Sequence, residues 1–204
     1  MIKAIIFDFD GTLVDAIPIF LKNANILARK YCYPEINDFS KLRNREMKEI
    51  IEQEMKIPLL QLPKYVSELK QMVLEEFKKA KPFTGVDELL KALSAKYKIG
   101  IVTSNSEEAV RSVLKDQPLD FVFSDSALFG KADALRRLLK EHGLKKDEIV
   151  YVGDETRDIE ACKALGVKCV SVSWGMNSEK ILRVARPFAI VNNTEELLRI
   201  LMQW

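Results

Sequence analysis

Short apolar runs alternate with amphipathic stretches along most of the chain. The apolar runs lie at residues 3–7, 98–103, 121–124, 148–153, 168–174 and 188–191. Their nearly continuous apolar character predicts strands that are covered on both faces, as in a parallel sheet. The amphipathic stretches predict helices at 86–96, 107–115, 132–142, 158–165 and 195–202. Because strands alternate with helices, we expect an α/β fold with right-handed crossover connections.

Local signals mark some of the predicted helix ends. Gly143 and Gly166 follow two of the predicted helices, at positions where a left-handed residue commonly ends a helix. Ser104 and Glu107 have the spacing of a capping box, which predicts a helix start at this point.

Residues 15–82 have a different pattern. No glycine falls between Gly11 and Gly85, and apolar residues recur at helical spacing through the segment. Pro34, Pro58 and Pro63 interrupt the periodic runs. The pattern predicts an inserted, all-helical domain of roughly four helices at 15–82. Residues 1–14 and 83–204 would then form one α/β core with a Rossmann-like parallel sheet.

The composition is that of a folded globular protein. Of 204 residues, 48% are hydrophobic and 30% are charged, which excludes a disordered chain. A net charge of +2 is too balanced for the clustered basic surface of a nucleic-acid-binding protein. No apolar run approaches the length of a membrane span, and Asp8 comes too early for a secretory signal. We therefore expect a cytoplasmic protein without nucleic-acid or membrane partners.

The cysteines follow no recognisable metal or disulfide pattern. They are Cys32, Cys162 and Cys169, an odd number at irregular spacing. We expect buried free thiols, which are the usual form of an unpaired cysteine.

Two acidic residues directly follow the first predicted strand, in the sequence Asp8-Phe9-Asp10-Gly11-Thr12. Residues two apart on an extended segment project to the same side, so the two carboxylates face one site. In an open parallel sheet, ligands bind at this end of the strands. Neighbouring carboxylates repel each other and therefore require a cation or a shared proton.

A second acidic cluster follows the predicted strand at 148–153. Asp154 is placed at the end of the strand, and Asp158 in the first turn of the next helix. Together with Asp8 and Asp10 they would form an oxygen-rich site of the kind that suits Mg²⁺. Asp158 taken alone also fits a helix N-terminal charge without a further role.

Two further groups can complete a phosphate site. Thr103 and Ser104 end the strand predicted at 98–103, where hydroxyl and backbone N–H groups can hold phosphoryl oxygens. Lys131 precedes the next predicted helix and can place a positive charge near the acidic residues. The order of these strand ends along the chain supports the site more strongly than any single residue does.

The order of the motifs resembles that of phosphohydrolases in the haloacid dehalogenase superfamily. Four segments resemble the four motifs of the family, in the same order along the chain. They are Asp8-x-Asp10-Gly11-Thr12, the hydroxyl of Thr103, Lys131, and Gly153-Asp154-x-x-x-Asp158. The helical insert resembles the family's α-helical cap. Trp174-Gly175 resembles the phosphoglycolate phosphatase-like members. The resemblance extends over the whole chain.

This resemblance implies a mechanism. Asp8 would attack phosphorus to form an aspartyl-phosphate intermediate. Asp10 would protonate the leaving oxygen and later accept a proton from water. Mg²⁺ would be held by Asp8, the carbonyl of Asp10 and Asp154, with Asp158 in support. Thr103, Ser104 and Lys131 would hold the phosphoryl group. Dehalogenases of the family lack the second acid, so the resemblance disfavours carbon–halogen hydrolysis.

The resemblance also gives expectations about the substrate. We expect a small phosphorylated metabolite, a phosphomonoester similar to phosphoglycolate, and a monomer or homodimer. Arg43 and Arg45 lie where related caps approach the active site, and Arg43 is a candidate for a substrate contact. His142 is expected to be a helix cap or surface residue. Trp174 is expected to serve packing rather than catalysis.

Several other functions remain open from the sequence. Within the superfamily, the alternatives are a phosphotransferase related to β-phosphoglucomutase, a pyrophosphatase and a nucleotidase. A signalling receiver domain also uses acids, a hydroxyl and a lysine, but its phosphorylated Asp follows a central strand in a shorter chain. A catalytically idle homologue that acts as a binding module is the remaining class.

Overall fold

The computed structural model describes residues 1–77, 80–124 and 130–204, and its centre is a six-stranded parallel sheet. The strands are β1 (Ala4–Phe7), β2 (Lys98–Thr103), β3 (Phe121–Ser124), β4 (Ile149–Gly153), β5 (Lys168–Val172) and β6 (Ala189–Val191). Every predicted strand is present, although the one predicted at 168–174 ends at Val172. The α/β class with a parallel sheet is confirmed.

β1 lies at the point where the strand order reverses. The order across the sheet is β3-β2-β1-β4-β5-β6. Phe7 of β1 pairs with Ile101 of β2 on one side and with Val152 of β4 on the other. The carboxyl ends of these strands therefore meet at one edge, which is where open α/β sheets bind their ligands.

Apolar side chains cover both faces of β1. All four of its residues are fully buried. Ile5 and Phe7 belong to the core on one face of the sheet, whereas Ala4 and Ile6 belong to the core on the other. Successive side chains of a strand point to opposite faces, so a strand buried on both sides is apolar throughout.

Helices connect the strands and fill the segment before β2. They are α1 (Ile17–Tyr31), α2 (Phe39–Leu42), α3 (Met47–Glu49), α4 (Leu62–Phe77), α5 (Val86–Ser94), α6 (Glu107–Val113), α7 (Lys131–Glu141), α8 (Thr156–Leu165), α9 (Glu179–Ala185) and α10 (Thr194–Leu201). The helices predicted after residue 83 correspond to α5–α8 and α10. The sequence did not indicate α9, because Leu182 is the one buried residue among its seven and leaves no periodic apolar face. Within the described ranges, no helix has both the length and the apolar character required to cross a membrane.

The predicted helix ends are partly confirmed. Gly166 ends α8 with φ of 69°, and Gly143 also has a positive φ of 62°. The capping box predicted at Ser104 is wrong. Instead, Ser106 directly precedes α6, and its hydroxyl accepts the N–H of Ala109 at 3.2 Å.

Residues 15–77 form helices and turns around a core of their own. α1 and α4 are the two long helices, joined through the short α2 and α3 and a π-helical turn at Ile50–Glu54. Tyr65 in α4 donates a hydrogen bond from Oη to the carbonyl of Ala24 in α1, at 2.9 Å. Val14 and Pro82 form an antiparallel bridge, so the segment leaves and rejoins the sheet at one place.

The cysteines differ in burial. Cys162 and Cys169 are buried, as expected, but the expectation is wrong for Cys32, which is exposed. Cys32 ends α1 in a left-handed conformation with φ of 55°.

Candidate active site

The two acidic clusters meet at the carboxyl edge of the sheet. Asp8 and Asp10 follow β1, Asp154 follows β4, and Asp158 lies in the first turn of α8. Asp154 and Asp158 are fully buried, and Asp8 nearly so. Asp8, Asp154 and Asp158 each offer a carboxylate oxygen, and these three atoms lie within 4.8 Å of one another. Parallel pairing of β1 with β4 produces this proximity, since the N–H of Asp8 also bonds the carbonyl of Val152 at 2.8 Å.

The carboxylate of Asp154 is tightly enclosed. Its Oδ1 accepts a hydrogen bond from the hydroxyl of Thr12 at 2.8 Å, and its Oδ2 accepts one from the N–H of Met176 at 2.6 Å. Gly11 and Gly175 approach the same carboxylate so closely that a Cβ at either position would overlap it. Gly11 also has φ of 77°, so both its conformation and its lack of a side chain are needed here.

Lys131 places a positive charge between two of the acids. From the start of α7, its Nζ contacts Asp8 Oδ2 at 2.5 Å and also Asp158 Oδ1. Burial raises the pKa of Asp8 to about 6 even though Lys131 opposes the shift. Burial acts to lower the pKa of Lys131, but the carboxylates of Asp158 and Asp8 raise it above its ordinary value. Lys131 is therefore charged throughout the physiological pH range.

Asp10 has one oxygen in a hydrogen bond and one without. Its Oδ2 accepts a hydrogen bond from Asn105 Nδ2 at 2.6 Å. Its Oδ1 is buried and has no hydrogen-bond partner among the residues that the structure describes. Burial, and next the charge of Asp8, raise the pKa of Asp10 to about 7, against a smaller lowering by Asn105. A carboxyl group with this pKa exists in both protonation states near neutral pH, as a general acid and base requires.

The residues at the end of β2 have different surroundings. Thr103 is buried, and its Oγ1 accepts hydrogen bonds from the backbone N–H of Asn105 at 3.1 Å and from Asn105 Nδ2 at 3.2 Å. Ser104 is exposed and lines the cavity beside Asp10. Asn105 was not among the site residues predicted from the sequence. Its position directly after the Thr103-Ser104 pair was the available signal.

Three further polar residues on the α8 side of the site were not predicted. Arg157 donates two hydrogen bonds to the carboxylate of Glu155, from Nε to Oε2 at 2.8 Å and from Nη2 to Oε1 at 2.5 Å. Both residues line the same cavity. Asn177 accepts the N–H of Thr156 at 2.9 Å and donates to the carbonyl of Arg45 at 3.1 Å. Asn177 thereby joins the start of α8 to the helical segment, a link between distant parts of the chain that has no local sequence signal.

Trp174 packs against the core, as expected, and also makes a polar contact. Its Nε1 donates to the carbonyl of Thr12 at 3.0 Å, and its ring meets the edge of Phe83. Trp174 therefore supports the turn that follows Asp8 and Asp10, and it is not among the described residues that line the cavity.

The candidate cap arginines are engaged elsewhere. Arg43 donates from its guanidinium to the carbonyl of Ser173, and Arg45 pairs with Glu54 at 2.9 Å and with Glu49 at 3.4 Å. Neither arginine is among the described residues that line the cavity.

His142 is not among the described residues that line the cavity. It follows α7 as its C-terminal cap, with its backbone N–H bonded to the carbonyl of Leu138 at 3.0 Å. Its ring stacks on Phe121 with a centroid distance of 4.0 Å. The expectation of a helix-cap residue is confirmed.

A cavity of about 560 Å³ begins at this site. Asp10, Ser104, Asn105 and Asp154 line one end, and the cavity continues between the sheet and the helices of residues 15–77. A volume of this size is in the range of small-molecule binding sites, about 300–1,000 Å³.

The donor set fits a hard divalent cation. The side chains that approach one another are carboxylates, and burial together with Glu155, Asp8 and Asp158 raises the pKa of Asp154 well above its ordinary value. A bound cation would offset both the cost of burying these carboxylates and the repulsion among them. Oxygen donors without nitrogen or sulfur ligands favour Mg²⁺ over a transition metal.

Comparison with known proteins identifies the family. Residues 5–172 match the family described as haloacid dehalogenase-like hydrolases. The phosphoglycolate phosphatase of Synechococcus elongatus is 34% identical, and the alignment covers 98% of each chain. A phosphorylated carbohydrates phosphatase of Thermotoga maritima is 29% identical over 98% of this chain and 99% of its own. A haloacid dehalogenase-like hydrolase structure from Streptococcus pneumoniae superposes with a TM-score of 0.80 at 21% identity, covering 98% of each chain. The chain therefore belongs to the haloacid dehalogenase-like hydrolase family, and within that family it is one of the phosphohydrolases.

Proposed function

We propose that this protein is a Mg²⁺-dependent phosphatase that hydrolyses a small phosphorylated metabolite, a phosphomonoester, through an aspartyl-phosphate on Asp8. The observation that carries the proposal is the pairing of two unlike carboxyl groups after β1. Asp8 contacts Lys131 at 2.5 Å, whereas Asp10 is held by Asn105 at 2.6 Å and has a pKa of about 7. Such a pair supplies a nucleophile and a proton donor to one substrate.

The reaction would proceed in two displacements. A carboxylate oxygen of Asp8 attacks phosphorus, the ester P–O bond breaks, and Asp10 gives its proton to the departing alcohol oxygen. Asp10 then takes a proton from water as the water oxygen attacks the aspartyl-phosphate. The second displacement releases inorganic phosphate and restores the carboxylate of Asp8.

Lys131, Thr103 and Ser104 would position the phosphoryl group. Lys131 is charged and in contact with the nucleophile, so it reduces the repulsion between Asp8 and an anionic substrate. Ser104 is exposed and lines the cavity, so its hydroxyl would be available to the phosphoryl oxygens. Thr103 contributes by orienting Asn105, because its hydroxyl oxygen accepts hydrogen bonds from that residue.

Asp8, Asp154 and the Asp10 carbonyl would hold Mg²⁺. When bound, Mg²⁺ offsets the charge of the phosphoryl oxygens and of the attacking carboxylate. Both oxygens of Asp158 already have partners, Lys131 and the N–H of Glu155, so Asp158 would act as outer support. Thr12, Met176 and the two glycines keep the Asp154 carboxylate in place.

The helical segment would serve as a cap over this site. Residues 15–82 would form the cap domain, and residues 1–14 and 83–204 the catalytic core. The adjacency of Val14 and Pro82 supports this division, because a segment that leaves and returns at one place can move as a unit. We further propose a cytoplasmic monomer or homodimer, for which gel filtration and fractionation are the tests.

A panel of phosphate esters tests the function. The wild type should release inorganic phosphate from at least one ester with Mg²⁺, and chelation by EDTA should abolish the release. Asp8→Asn keeps the shape of the side chain but removes the nucleophile, and should lower kcat at least about a thousandfold. Asp15→Asn is the matched control, since Asp15 is an exposed carboxylate outside the site. Absence of phosphate release from every ester, or equal rates in Asp8→Asn, would contradict the proposal.

The same assay separates the related activities. A phosphotransferase would move the phosphoryl group to a sugar phosphate instead of releasing it, which product analysis detects. A pyrophosphatase would prefer inorganic pyrophosphate, and a nucleotidase would prefer nucleoside monophosphates. Phosphoglycolate belongs in the panel because it is the substrate named for the Synechococcus elongatus relative.

A further inference from the structure

The cavity changes character along its length. At the sheet edge its walls are polar, formed by residues such as Asp10, Asn105 and Glu155. Beyond them the walls are apolar side chains from the helices of residues 15–77: Phe20, Met47, Ile51, Met55, Leu69 and Val73. We call this second part the apolar chamber. A phosphomonoester bound with phosphorus beside Asp8 and Asp10 would extend its alcohol part into the chamber, because the two parts form one continuous cavity.

The walls of the chamber are built in advance of binding. The buried hydrogen bond from Tyr65 to Ala24 fixes α4 against α1. The segment after α2 is attached to the core, since the N–H of Ser178 donates to the carbonyl of Arg43 at 2.8 Å. The hydrogen bond from Asn177 to the carbonyl of Arg45 adds to this attachment. In the structure, these hydrogen bonds hold the helices of the chamber against each other and against the part of the core that carries Asn177 and Ser178.

Few charged groups face the chamber. Among the described lining residues, the basic ones are Arg157 and Lys70. Arg157 is at the polar end and bonded to Glu155, and the cap residues Arg43 and Arg45 are used in other contacts. A leaving group rich in hydroxyls would lose its hydrogen bonds to water in the chamber without replacing most of them, which is costly.

We propose that the substrate is a phosphomonoester of an apolar alcohol, with an alkyl or aryl leaving group of several carbons that fills the apolar chamber. The inference rests on the proposed phosphatase function and narrows its substrate class. Each methylene that the chamber removes from water should raise kcat/KM about fourfold, which corresponds to about 0.8 kcal/mol. Phosphoglycolate, whose leaving group ends in a carboxylate, should be a poorer substrate than an alkyl phosphate of equal length.

A homologous series of substrates provides the test. Ethyl, butyl and hexyl phosphate have chemically similar leaving groups, so differences in kcat/KM report binding of the chain. We expect hexyl phosphate to exceed ethyl phosphate by about two-hundredfold in the wild type. Phosphoglycolate completes the set as an ester with a short polar leaving group.

A pair of variants on α4 locates the effect. Val66 lines the chamber and is half-buried, and Val66→Trp should fill it and reduce the hexyl-to-ethyl ratio at least tenfold. Ser67 is its exposed neighbour outside the cavity wall, so Ser67→Trp should keep the wild-type ratio. The ratio is measured within each protein, so a loss of folded enzyme cancels. The wild-type series decides the question by itself if Val66→Trp does not fold.

The outcomes distinguish the inference from the function on which it rests. Turnover that depends on Asp8 but does not change with chain length, or that is highest for phosphoglycolate, would refute the apolar substrate and leave the phosphatase intact. An unchanged ratio in Val66→Trp would likewise refute it. If no compound gave phosphate release that depends on Asp8, the proposed function itself would be refuted. The inference about the substrate would then be refuted as well.

Discussion

Thr12 offers a sharp test of how the acidic site is held together. Its hydroxyl donates to Asp154 Oδ1 at 2.8 Å, and both side chains are buried. Thr12→Val replaces the hydroxyl with a methyl group of nearly the same size. The change therefore creates no cavity, and its main effect is to leave a buried carboxylate oxygen without its donor.

The structure indicates the magnitude. An unsatisfied buried acceptor costs about 1–3 kcal/mol. We therefore expect the free energy of unfolding to fall by about 2 kcal/mol, which lowers the urea midpoint by about 1 M. Because Asp154 is a proposed Mg²⁺ ligand, the Mg²⁺ concentration for half-maximal phosphate release should rise about 10- to 100-fold.

Two measurements and one control complete this test. Urea unfolding, followed by circular dichroism without added metal, gives the stability. A Mg²⁺ titration of phosphate release gives the second quantity. Thr12→Ser keeps the hydroxyl and should restore the Mg²⁺ dependence. If Thr12→Val unfolds at the wild-type urea concentration and needs no more Mg²⁺, the hydrogen bond does not hold Asp154 and the reasoning is wrong.

Three further changes have defined outcomes. Lys131→Met removes the cation between two buried carboxylates and should lower kcat about 10²–10³-fold in the phosphate-release assay, with Lys131→Arg recovering part of it. Trp174→Phe keeps an aromatic side chain but loses the bond to the Thr12 carbonyl and part of the indole's packing against the core, and should lower the free energy of unfolding by about 1–3 kcal/mol in urea. Tyr65→Phe removes the buried hydrogen bond to the carbonyl of Ala24 and should lower the free energy of unfolding by about 0.5–1.5 kcal/mol in urea. An unchanged urea midpoint would contradict the role of this bond in fixing the chamber wall.

The strands and the positions of the acidic residues could be predicted because the relevant signals are local. A strand buried on both faces is apolar at every position, as in β1 and β4, and the run itself marks the strand. Parallel strands in one sheet end at the same edge, so Asp8 and Asp154, each placed directly after a strand, had to lie near that edge.

The elements that could not be predicted lack such signals. α9 buries only Leu182, and the π-helical turn at Ile50–Glu54 resembles an ordinary helix in its apolar spacing. The N-cap of α6 was assigned to Ser104 in place of Ser106, because the two serines lie close together and the backbone conformation selects between them.

The sequence by itself determined which residue types stand at the strand ends and which segment has no strands. Only the tertiary structure decided their partners: Asn105 with Asp10, Trp174 with the Thr12 carbonyl, and Gly175 against Asp154. It also decided that Arg43 and Arg45 bond elsewhere and that an apolar chamber adjoins the acids. The physical reason is that hydrophobic periodicity records burial along one element, whereas a hydrogen bond or a cavity depends on how separate elements pack against one another.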